Sequence, residues 1–366
     1  MKFLLCFGTR PEAIKMAPVI QELKKRSVSF KVCVTGQHRE MLFEVLDFFE
    51  IKPEYTLDVL SAGQTLNALS AKIILAVDEV LQNEEPDVVL VHGDTATSCM
   101  AALAAYHRNI KVAHVEAGLR TYDKKAPFPE EINRQITARI ADIHFAPTEK
   151  AKDNLLREGI KESTIFVTGN TIVDALIYGI SKNRKFRNIQ IEELAGLIDP
   201  EKKLILVTGH RRENFGSGLS NLCEALKELV QRGDVEILFP VHLNPAVQDA
   251  VYVSLGNEKA IHLVDPVQYS TMLWLMEKCT LVISDSGGIQ EEIPFFKKPV
   301  IVTREVTERK EGVEAGFALL TGSSKDKIVV EAVRLMETPP NFEDGRNPYG
   351  DGFTAAKIGA ILEKMM

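Results

Sequence analysis

Short apolar runs alternate with longer amphipathic segments along the whole chain, and this alternation restricts the possible folds more than any other feature. The run in "DVVLVHGD" is apolar without interruption, which is typical of parallel strands that are buried on both faces. Amphipathic segments with helical period, such as 66–80, separate the runs. In the first half of the chain the pattern predicts strands at 2–7, 30–35, 87–92, 111–115, 143–146 and 165–168.

The pattern restarts at "KLILVTGH", which resembles the opening strand. Further strands are predicted at 203–210, 235–241, 261–264, 280–284, 299–303 and 317–320. A chain of 366 residues also exceeds the usual size of one hydrophobic core. We therefore predict two α/β domains with mainly parallel sheets, residues 1–180 and 181–352, and we interpret the charge-rich segment 181–203 as a linker region.

The composition restricts the class of protein. A net charge of −7 argues against a nucleic-acid partner, and no apolar stretch approaches the roughly 20 residues that span a bilayer. The five cysteines are scattered without a CxxC pair, which favours reduced, buried thiols and a cytoplasmic location. No metal-ligand spacing, GxGxxG motif or P-loop motif is present. We therefore expect no metal, no nicotinamide cofactor and no membrane partner.

Polar residues follow most of the predicted strands. Ligands of parallel sheets bind beyond the carboxyl ends of the strands. Polar residues that follow many strands at one edge of a sheet therefore favour a binding site over helix capping alone. Arg10 and Lys15 follow the first strand, and the glycines of 286–288 would let backbone N–H groups approach a phosphate at the start of a helix. The helix dipole would add roughly 0.3–1 kcal/mol. Arg309 adds a cation, and Glu291 or Glu292, one turn into the helix, offers an acceptor for a ribose hydroxyl, so we predict an anion site.

Three carboxylates form a second group. Asp94 and Glu116 follow two neighbouring predicted strands, and Glu130 begins a helix in "PFPEEINR". Carboxylates gathered in a partly dry cleft repel one another, so the pKa of at least one should rise and suit that group to proton transfer. A single one of them could be a helix cap or a first-turn acid. Together they favour acid–base chemistry.

At these residues the chain resembles the non-hydrolysing UDP-N-acetylglucosamine 2-epimerases. The matching segments run in order from residue 8 to 352 and are "GTRPEAIKMAP", "TGQHREML", "VHGDT", "HVEAGLRT", "FPEEINR", "TGHRREN", "SDSGGIQEE", "TERKEGVEAG" and "NPYGDG". The resemblance implies the glycosyltransferase-B fold, in which two Rossmann-like domains face each other across a cleft. It also implies that a C-terminal helix, here 353–366, packs back on the first domain.

The resemblance assigns roles to individual residues. The implied catalytic set is Asp94, Glu116, Glu130 and His210. The implied substrate contacts are Arg10, Lys15, Met272, Ser286, Gly287, Gly288, Glu292 and Arg309. Gln37, His38 and His242 match positions associated with a second, activating UDP-N-acetylglucosamine. The chain departs from many relatives near the uridine, where Val267 and Met272 replace a glutamine and a phenylalanine.

The implied reaction is reversible C2 epimerisation of UDP-N-acetylglucosamine to UDP-N-acetylmannosamine, a precursor of surface polysaccharide. The C2 proton is not next to a carbonyl, so the resemblance implies elimination of UDP to 2-acetamidoglucal, followed by re-addition. Relatives are commonly dimeric, which leads us to expect a homodimer. A UDP-sugar transferase of the same fold, a hydrolysing epimerase and a non-catalytic nucleotide-sugar sensor remain as alternatives.

Overall fold

The computed structural model describes residues 1–36, 39–61, 63–209, 217–342 and 347–365, without the side chains of 39 and 40. The chain divides into two compact units. The first domain comprises Met1–Ala175 together with the C-terminal segment that begins at Tyr349, and the second comprises Leu176–Pro348. The division therefore falls inside one helix, a few residues before the expected boundary.

The first domain is built on a seven-stranded parallel sheet. Its strands are β1 (Lys2–Phe7), β2 (Ser29–Val34), β3 (Tyr55–Thr56), β4 (Val88–His92), β5 (Lys111–Val115), β6 (Ile143–Ala146) and β7 (Ile165–Val167). They lie in the order β3-β2-β1-β4-β5-β6-β7. The helices are α1 (Arg10–Lys25), α2 (Arg39–Phe48), α3 (Leu66–Glu84), α4 (Ala96–His107), α5 (Glu130–Ile140), α6 (Glu149–Arg157) and α7 (Thr171–Asn183), which ends in the second domain.

The second domain repeats this architecture with six parallel strands in the order β10-β9-β8-β11-β12-β13. These are β8 (Lys203–Thr208), β9 (Val235–Pro240), β10 (Ile261–Val264), β11 (Leu281–Ser284), β12 (Val300–Val302) and β13 (Ala318–Leu320). Its helices are α8 (Ile189–Leu197), α9 (Ser217–Val230), α10 (Pro245–Leu255), α11 (Tyr269–Lys278), α12 (Gly287–Glu292), α13 (Lys310–Glu314) and α14 (Lys325–Glu337).

Each sheet has one point at which the strand order reverses direction. In the first domain this point lies between β1 and β4, and in the second it lies between β8 and β11. Ligands of open parallel sheets bind outside the carboxyl ends of the strands at such a switch point. The topology therefore directs attention to the residues that follow these four strands.

The prediction of two parallel α/β domains is confirmed, and each predicted strand overlaps an observed one. Two local differences remain. The edge strand β3 has two residues, which is too short to produce a pattern in the sequence. The segment interpreted as a linker region contains α8, whose start is capped by the side chain of Asn188. None of the helices in the described ranges combines the length and the apolar character needed to cross a membrane.

The C-terminal helix α15 (Thr354–Glu363) packs on α1 of the first domain. A Cβ atom at Gly359 would lie 2.9 Å from the side chain of Arg26, so a larger residue there would have to displace that side chain. Arg26 also forms an ion pair of 2.6 Å with Glu363. At the other end, the carboxylate of Asp174 accepts hydrogen bonds from the backbone N–H groups of Thr354 and Ala355, and it thereby caps α15.

Glu12 joins the ends of β1 and β4. Thr9 and Glu12 form a capping box at the start of α1, and the Glu12 carboxylate accepts hydrogen bonds from the N–H groups of Gly8 at 3.0 Å and Thr9 at 2.8 Å. The hydroxyl of Thr95, at the start of α4, donates to the same carboxylate at 2.7 Å. Burial raises the pKa of Glu12 from 4.5 to about 7, although these hydrogen bonds favour the charged form.

Glu12→Gln tests this coupling between burial and charge. Because the folded pKa exceeds the unfolded one, the stability that Glu12 contributes is complete below about pH 4.5 and is lost as the pH rises through about 7. Glutamine keeps the size of the side chain and does not titrate. Between roughly pH 4.5 and 7, wild type should therefore lose up to about 3 kcal/mol of unfolding free energy relative to the variant. Denaturant unfolding at several pH values measures this, and a pH-independent difference would contradict the prediction.

Candidate active site

The first-domain site is formed by the carboxyl ends of β1, β4 and β5, which are neighbours in the sheet. Asp94 lies two residues after β4, and Glu116 directly follows β5. Their side chains are 24% and 7% exposed, so the two carboxylates lie at the edge of the domain without being fully solvated. The sequence prediction that adjacent strand ends carry them is confirmed.

Glu116 has a strained backbone conformation, and its side chain is held through one of its two oxygens. Its φ of 64° is in the left-handed region, which a residue with a side chain rarely adopts. Lys15 forms a buried ion pair with Oε2. His92 Nε2 lies 3.7 Å from that same oxygen, and Asn170 Nδ2 donates to it at 3.4 Å. These contacts converge on Oε2 rather than Oε1. The strain and the one-sided contacts are typical of a functional carboxylate.

Asp94 is held by α5. Arg134 Nη2 donates to Asp94 Oδ2, and Asn133 Nδ2 donates to the backbone carbonyl of Asp94 at 3.0 Å. Residues at positions i, i+3 and i+4 share one face of a helix, and α5 begins at Glu130. Glu130 therefore lies on the helix face that contacts Asp94. The structure thus brings Asp94 and Glu130 to the same edge of the first domain.

A buried histidine fixes the loop between β4 and Asp94. His114 Nε2 lies 2.7 Å from the carbonyl oxygen of Gly93. Because a carbonyl can only accept, this nitrogen must carry the hydrogen. Burial lowers the pKa of His114 well below its ordinary value. The ring is therefore a neutral donor that holds the end of β4 against β5.

The two cations of the opening motif occupy different environments. Lys15 is buried and its ammonium group is committed to Glu116. Arg10 is half-buried and forms no hydrogen bond or ion pair with any residue in the described part of the chain. Only Arg10 is thus available to an external anion without breaking an internal ion pair.

In the second domain the candidate site follows β11. Ser286 precedes α12, its side chain makes no capping hydrogen bond, and its N–H donates to Ser284 Oγ at 2.9 Å. The helix α12 has six residues and ends at the buried Glu292. A helix this short sums few peptide dipoles, so its dipole contributes less than a full-length helix would. The N–H groups and the neighbouring cation must therefore supply most of any attraction for an anion.

Arg309 is that cation, and two carboxylates orient it. Its Nε donates to Glu291 Oε1 at 3.0 Å, and its Nη1 pairs with Glu308. A Cβ atom at Gly287 would lie 2.9 Å from the guanidinium carbon of Arg309, so the arginine packs directly on the glycine. At Gly288 the nearest atom to a Cβ would be Ser286 Oγ at 3.7 Å, an ordinary contact. Internal packing therefore requires glycine at 287 and does not require it at 288.

The remaining predicted residues divide into two groups. Met272 is half-buried in the first turn of α11, and the exposed His242 accepts a hydrogen bond at Nδ1 from the N–H of Asn244 at 3.1 Å. His210, Gln37 and His38 lie outside the described residues. Within the ranges described, no group of three or more His, Cys, Asp and Glu side chains could hold a metal ion.

The sequence prediction missed the residues that hold the carboxylates and the loops. Glu12, His114 and Arg134 were not assigned a role, although each lies within a motif that had been singled out. Arg134 could have been found, because it stands four residues after Glu130 and therefore shares its helix face. Nothing in the sequence pattern indicates that His114 reaches the carbonyl of Gly93.

Comparison with known proteins identifies close relatives. The family model described as UDP-N-acetylglucosamine 2-epimerase matches residues 21–363. The UDP-N-acetylglucosamine 2-epimerase of Campylobacter jejuni is 48% identical over 373 residues, which cover 99% of this chain and 97% of that protein. The crystal structure of UDP-GlcNAc 2-epimerase from Neisseria meningitidis bound to UDP-GlcNAc has 45% identity and a TM-score of 0.94, with 100% of both chains covered. The glycotransferase of kitacinnamycin, 12% identical with a TM-score of 0.66 over 99% of this chain and 98% of that one, shares only the fold.

The two adjacent glycines offer a matched test of the second-domain site. Gly287→Ala should displace Arg309 from Glu291 and Glu308 and lower the unfolding free energy by roughly 1–3 kcal/mol, because it disturbs two buried charge-assisted hydrogen bonds. Gly288→Ala should leave that free energy unchanged or raise it slightly, since alanine favours a helix. Fluorescence of the single tryptophan, Trp274 in α11, reports the unfolding of the second domain. Equal losses of unfolding free energy in both variants would contradict the conclusion that internal packing requires glycine at 287 and not at 288.

Proposed function

The chain belongs to the UDP-N-acetylglucosamine 2-epimerase family, and we propose that it catalyses the reversible conversion of UDP-N-acetylglucosamine to UDP-N-acetylmannosamine. One observation carries the proposal beyond family membership. Asp94 and Glu116 lie at adjacent strand ends, and each has one oxygen that a buried cation holds. Such carboxylates are fixed in position yet keep a second oxygen for a proton. The Neisseria relative bound to UDP-GlcNAc supports the choice of substrate.

The proposed chemistry is elimination followed by re-addition. A carboxylate accepts the C2 proton, the C2–H electron pair forms the C1=C2 bond, and the C1–O bond breaks so that UDP leaves with its electron pair. The product of this step is 2-acetamidoglucal. UDP then attacks C1 while an acid returns a proton to the opposite face of C2. Two carboxylates at different points of the sugar suit one removal and one return, and exclusion of water would protect the intermediate.

The proposed roles follow from the surroundings of each residue. Asp94, Glu116 and Glu130 exchange protons with the sugar, while Arg10, which has no ion-pair partner among the described residues, stabilises the charge that grows on the departing diphosphate. In the second domain Arg309 and the backbone N–H group of Gly288 bind the diphosphate, with Ser286 and Glu292 as further contacts. His210 joins Arg10 in this scheme on the strength of the resemblance alone.

Further expectations rest on the family. We propose that the product supplies surface polysaccharide and that the protein acts as a homodimer. A second UDP-N-acetylglucosamine would act as activator at Gln37, His38 and His242. A cytoplasmic location fits the five free cysteines, all of which are buried thiols.

The direct test supplies the purified protein with UDP-N-acetylglucosamine alone in D2O and follows the products by NMR. UDP-N-acetylmannosamine that carries deuterium at C2 is the expected result. Free N-acetylmannosamine and UDP would instead identify a hydrolysing epimerase. A substrate that binds without any exchange would favour a transferase that lacks its acceptor, or a sensor.

Amide variants test the three carboxylates one at a time. Asp94→Asn, Glu116→Gln and Glu130→Gln keep the side-chain shape and remove proton transfer, so epimerisation should fall by roughly 10²–10⁴ while UDP still binds. A variant that lacks the base should not exchange the C2 hydrogen. A variant impaired only in the return step should still exchange it, or release 2-acetamidoglucal and UDP.

Glu158→Gln is the matched control for this series, because Glu158 is a carboxylate of the same domain that pairs with an arginine outside the site. It should retain epimerase activity. If all three amide variants turned over at wild-type rates with unchanged C2 exchange, the carboxylates would be structural and the mechanism wrong.

Arg10→Ala tests the proposed leaving-group contact. A cation beside the diphosphate should interact more strongly with the departing charge than with the resting one, so kcat should fall together with affinity. Arg139→Ala, at an exposed arginine at the end of α5, is the control and should leave both parameters unchanged. Steady-state kinetics separate the two effects. A rise in KM with constant kcat would mean that Arg10 only binds the ground state.

A further inference from the structure

A buried network connects α5 to the exit of β4 and to the loop that precedes the helix. Arg134 lies at its centre, with a side chain that is 3% exposed. One end of its guanidinium, Nη2, donates to Asp94 Oδ2, and the other, Nη1, lies 3.5 Å from Glu131 Oε2. The guanidinium thus hydrogen-bonds to one carboxylate through Nη2, and through Nη1, which makes no hydrogen bond within the described part of the chain, it lies at ion-pair distance from a second.

Glu131 anchors this bridge to the backbone of the preceding loop. Its side chain is fully buried. Its two oxygens accept hydrogen bonds from the N–H groups of Thr121 and Tyr122, each at 3.0 Å, and from Gln135 Nε2 at 2.9 Å. A buried carboxylate with this many donors has little freedom to move. Glu131 is therefore fixed relative to the loop between β5 and α5, and it places an immobile negative charge beside the guanidinium of Arg134.

The network leaves one oxygen of Asp94 uncommitted. Asn133 holds the backbone carbonyl of Asp94, and Arg134 holds Oδ2. Oδ1 forms no hydrogen bond with any residue of the described ranges. The backbone and one carboxylate oxygen are thus fixed, which determines where the second oxygen must lie.

We propose that Arg134 is a positioning residue for epimerisation, which fixes Asp94 so that Oδ1 is the oxygen that exchanges a proton with the sugar. Glu131 contributes a fixed negative charge beside the guanidinium. The inference rests on the proposed function and adds to it the group that orients one of its carboxylates. Arginine suits this role because its planar fork can hold two carboxylates at once, whereas a lysine ammonium offers a single charge without that geometry.

Arg120 provides a matched control in the same domain. Its side chain is completely buried, and it binds Glu158 through Nε at 2.7 Å and Nη2 at 2.8 Å. It is therefore a buried arginine with a carboxylate partner, but that partner is not a proposed proton carrier. If kcat falls merely because a buried ion pair is disturbed, substitutions of Arg120 and of Arg134 should lower kcat equally.

The experiment is a double-mutant cycle on the full chain, with C2 exchange and epimer formation as readouts. Arg134→Gln should lower kcat by roughly 10²-fold, the size expected when a reacting group is displaced by about 1 Å, with little change in KM. In an Asp94→Asn background the same substitution should cause almost no further loss, because its effect passes through Asp94. Arg134→Lys should recover part of kcat. Arg120→Gln and Arg120→Lys, the same substitutions at the control position, should lower the unfolding free energy and keep the wild-type kcat.

The outcomes separate the two levels of the proposal. If wild type neither exchanges the C2 hydrogen nor forms the epimer, the proposed function fails. If wild type is active and Arg134→Gln lowers kcat by the same factor with and without Asp94→Asn, Arg134 acts independently of Asp94 and the inference fails. A folded Arg134→Gln protein with wild-type kcat would also overturn it. If Arg134→Gln does not fold, the cycle is run with Arg134→Lys, and the same comparison of factors decides.

Discussion

Both faces of each parallel sheet are covered, and this constraint determines where polar chemistry can occur. The strand β4 is buried along its whole length, and β5 and β11 are buried over all or nearly all of theirs. A side chain that must meet a polar ligand therefore has no place on a strand, and it moves to the residues just beyond the carboxyl end. At the switch points these residues converge. Arg10 follows the end of β1 and Asp94 follows the end of β4. Gly287 and Gly288 follow the end of β11, and Gly287 packs against Arg309.

The same burial makes the site part of the folded core. Lys15 and Arg134 are almost completely buried, and a buried cation is tolerated only with a carboxylate partner. Those partners are Glu116 and Asp94, to which the proposed function assigns proton exchange. Replacing either carboxylate thus removes a proposed proton carrier and also one carboxylate partner of a buried cation. Kinetic effects at these positions can be interpreted only beside the unfolding free energy of the same variant.

Sequence predicted those features that depend on a repeated pattern and missed those that depend on a single contact. Strands buried on both faces are continuous apolar runs, so the two sheets could be predicted, and the strand ends located Asp94 and Glu116. The pairing of Lys15 with Glu116 could not be predicted, because it joins α1 to the end of β5 across 101 positions of sequence. The left-handed backbone of Glu116 also leaves no trace in composition, since glycine does not occupy that position. The short β3 pairs with one neighbour and lacks the length for any period.

The paired charges also resolve a difficulty of the proposed chemistry. A diphosphate is an anion, and two unit charges 4 Å apart repel by about 1 kcal/mol in water and about 4 kcal/mol at an effective dielectric constant of 20. Three uncompensated carboxylates beside the sugar would therefore oppose binding of the substrate they must act on. Lys15 beside Glu116 makes that pair close to neutral, and Arg134 offsets part of the negative charge of Asp94 and Glu131, between which it lies. Arg10 is then a cation without an internal partner among the described residues. Under the proposed function, the first domain would thus present Asp94 and Glu116 to an anionic substrate with much of their negative charge already offset.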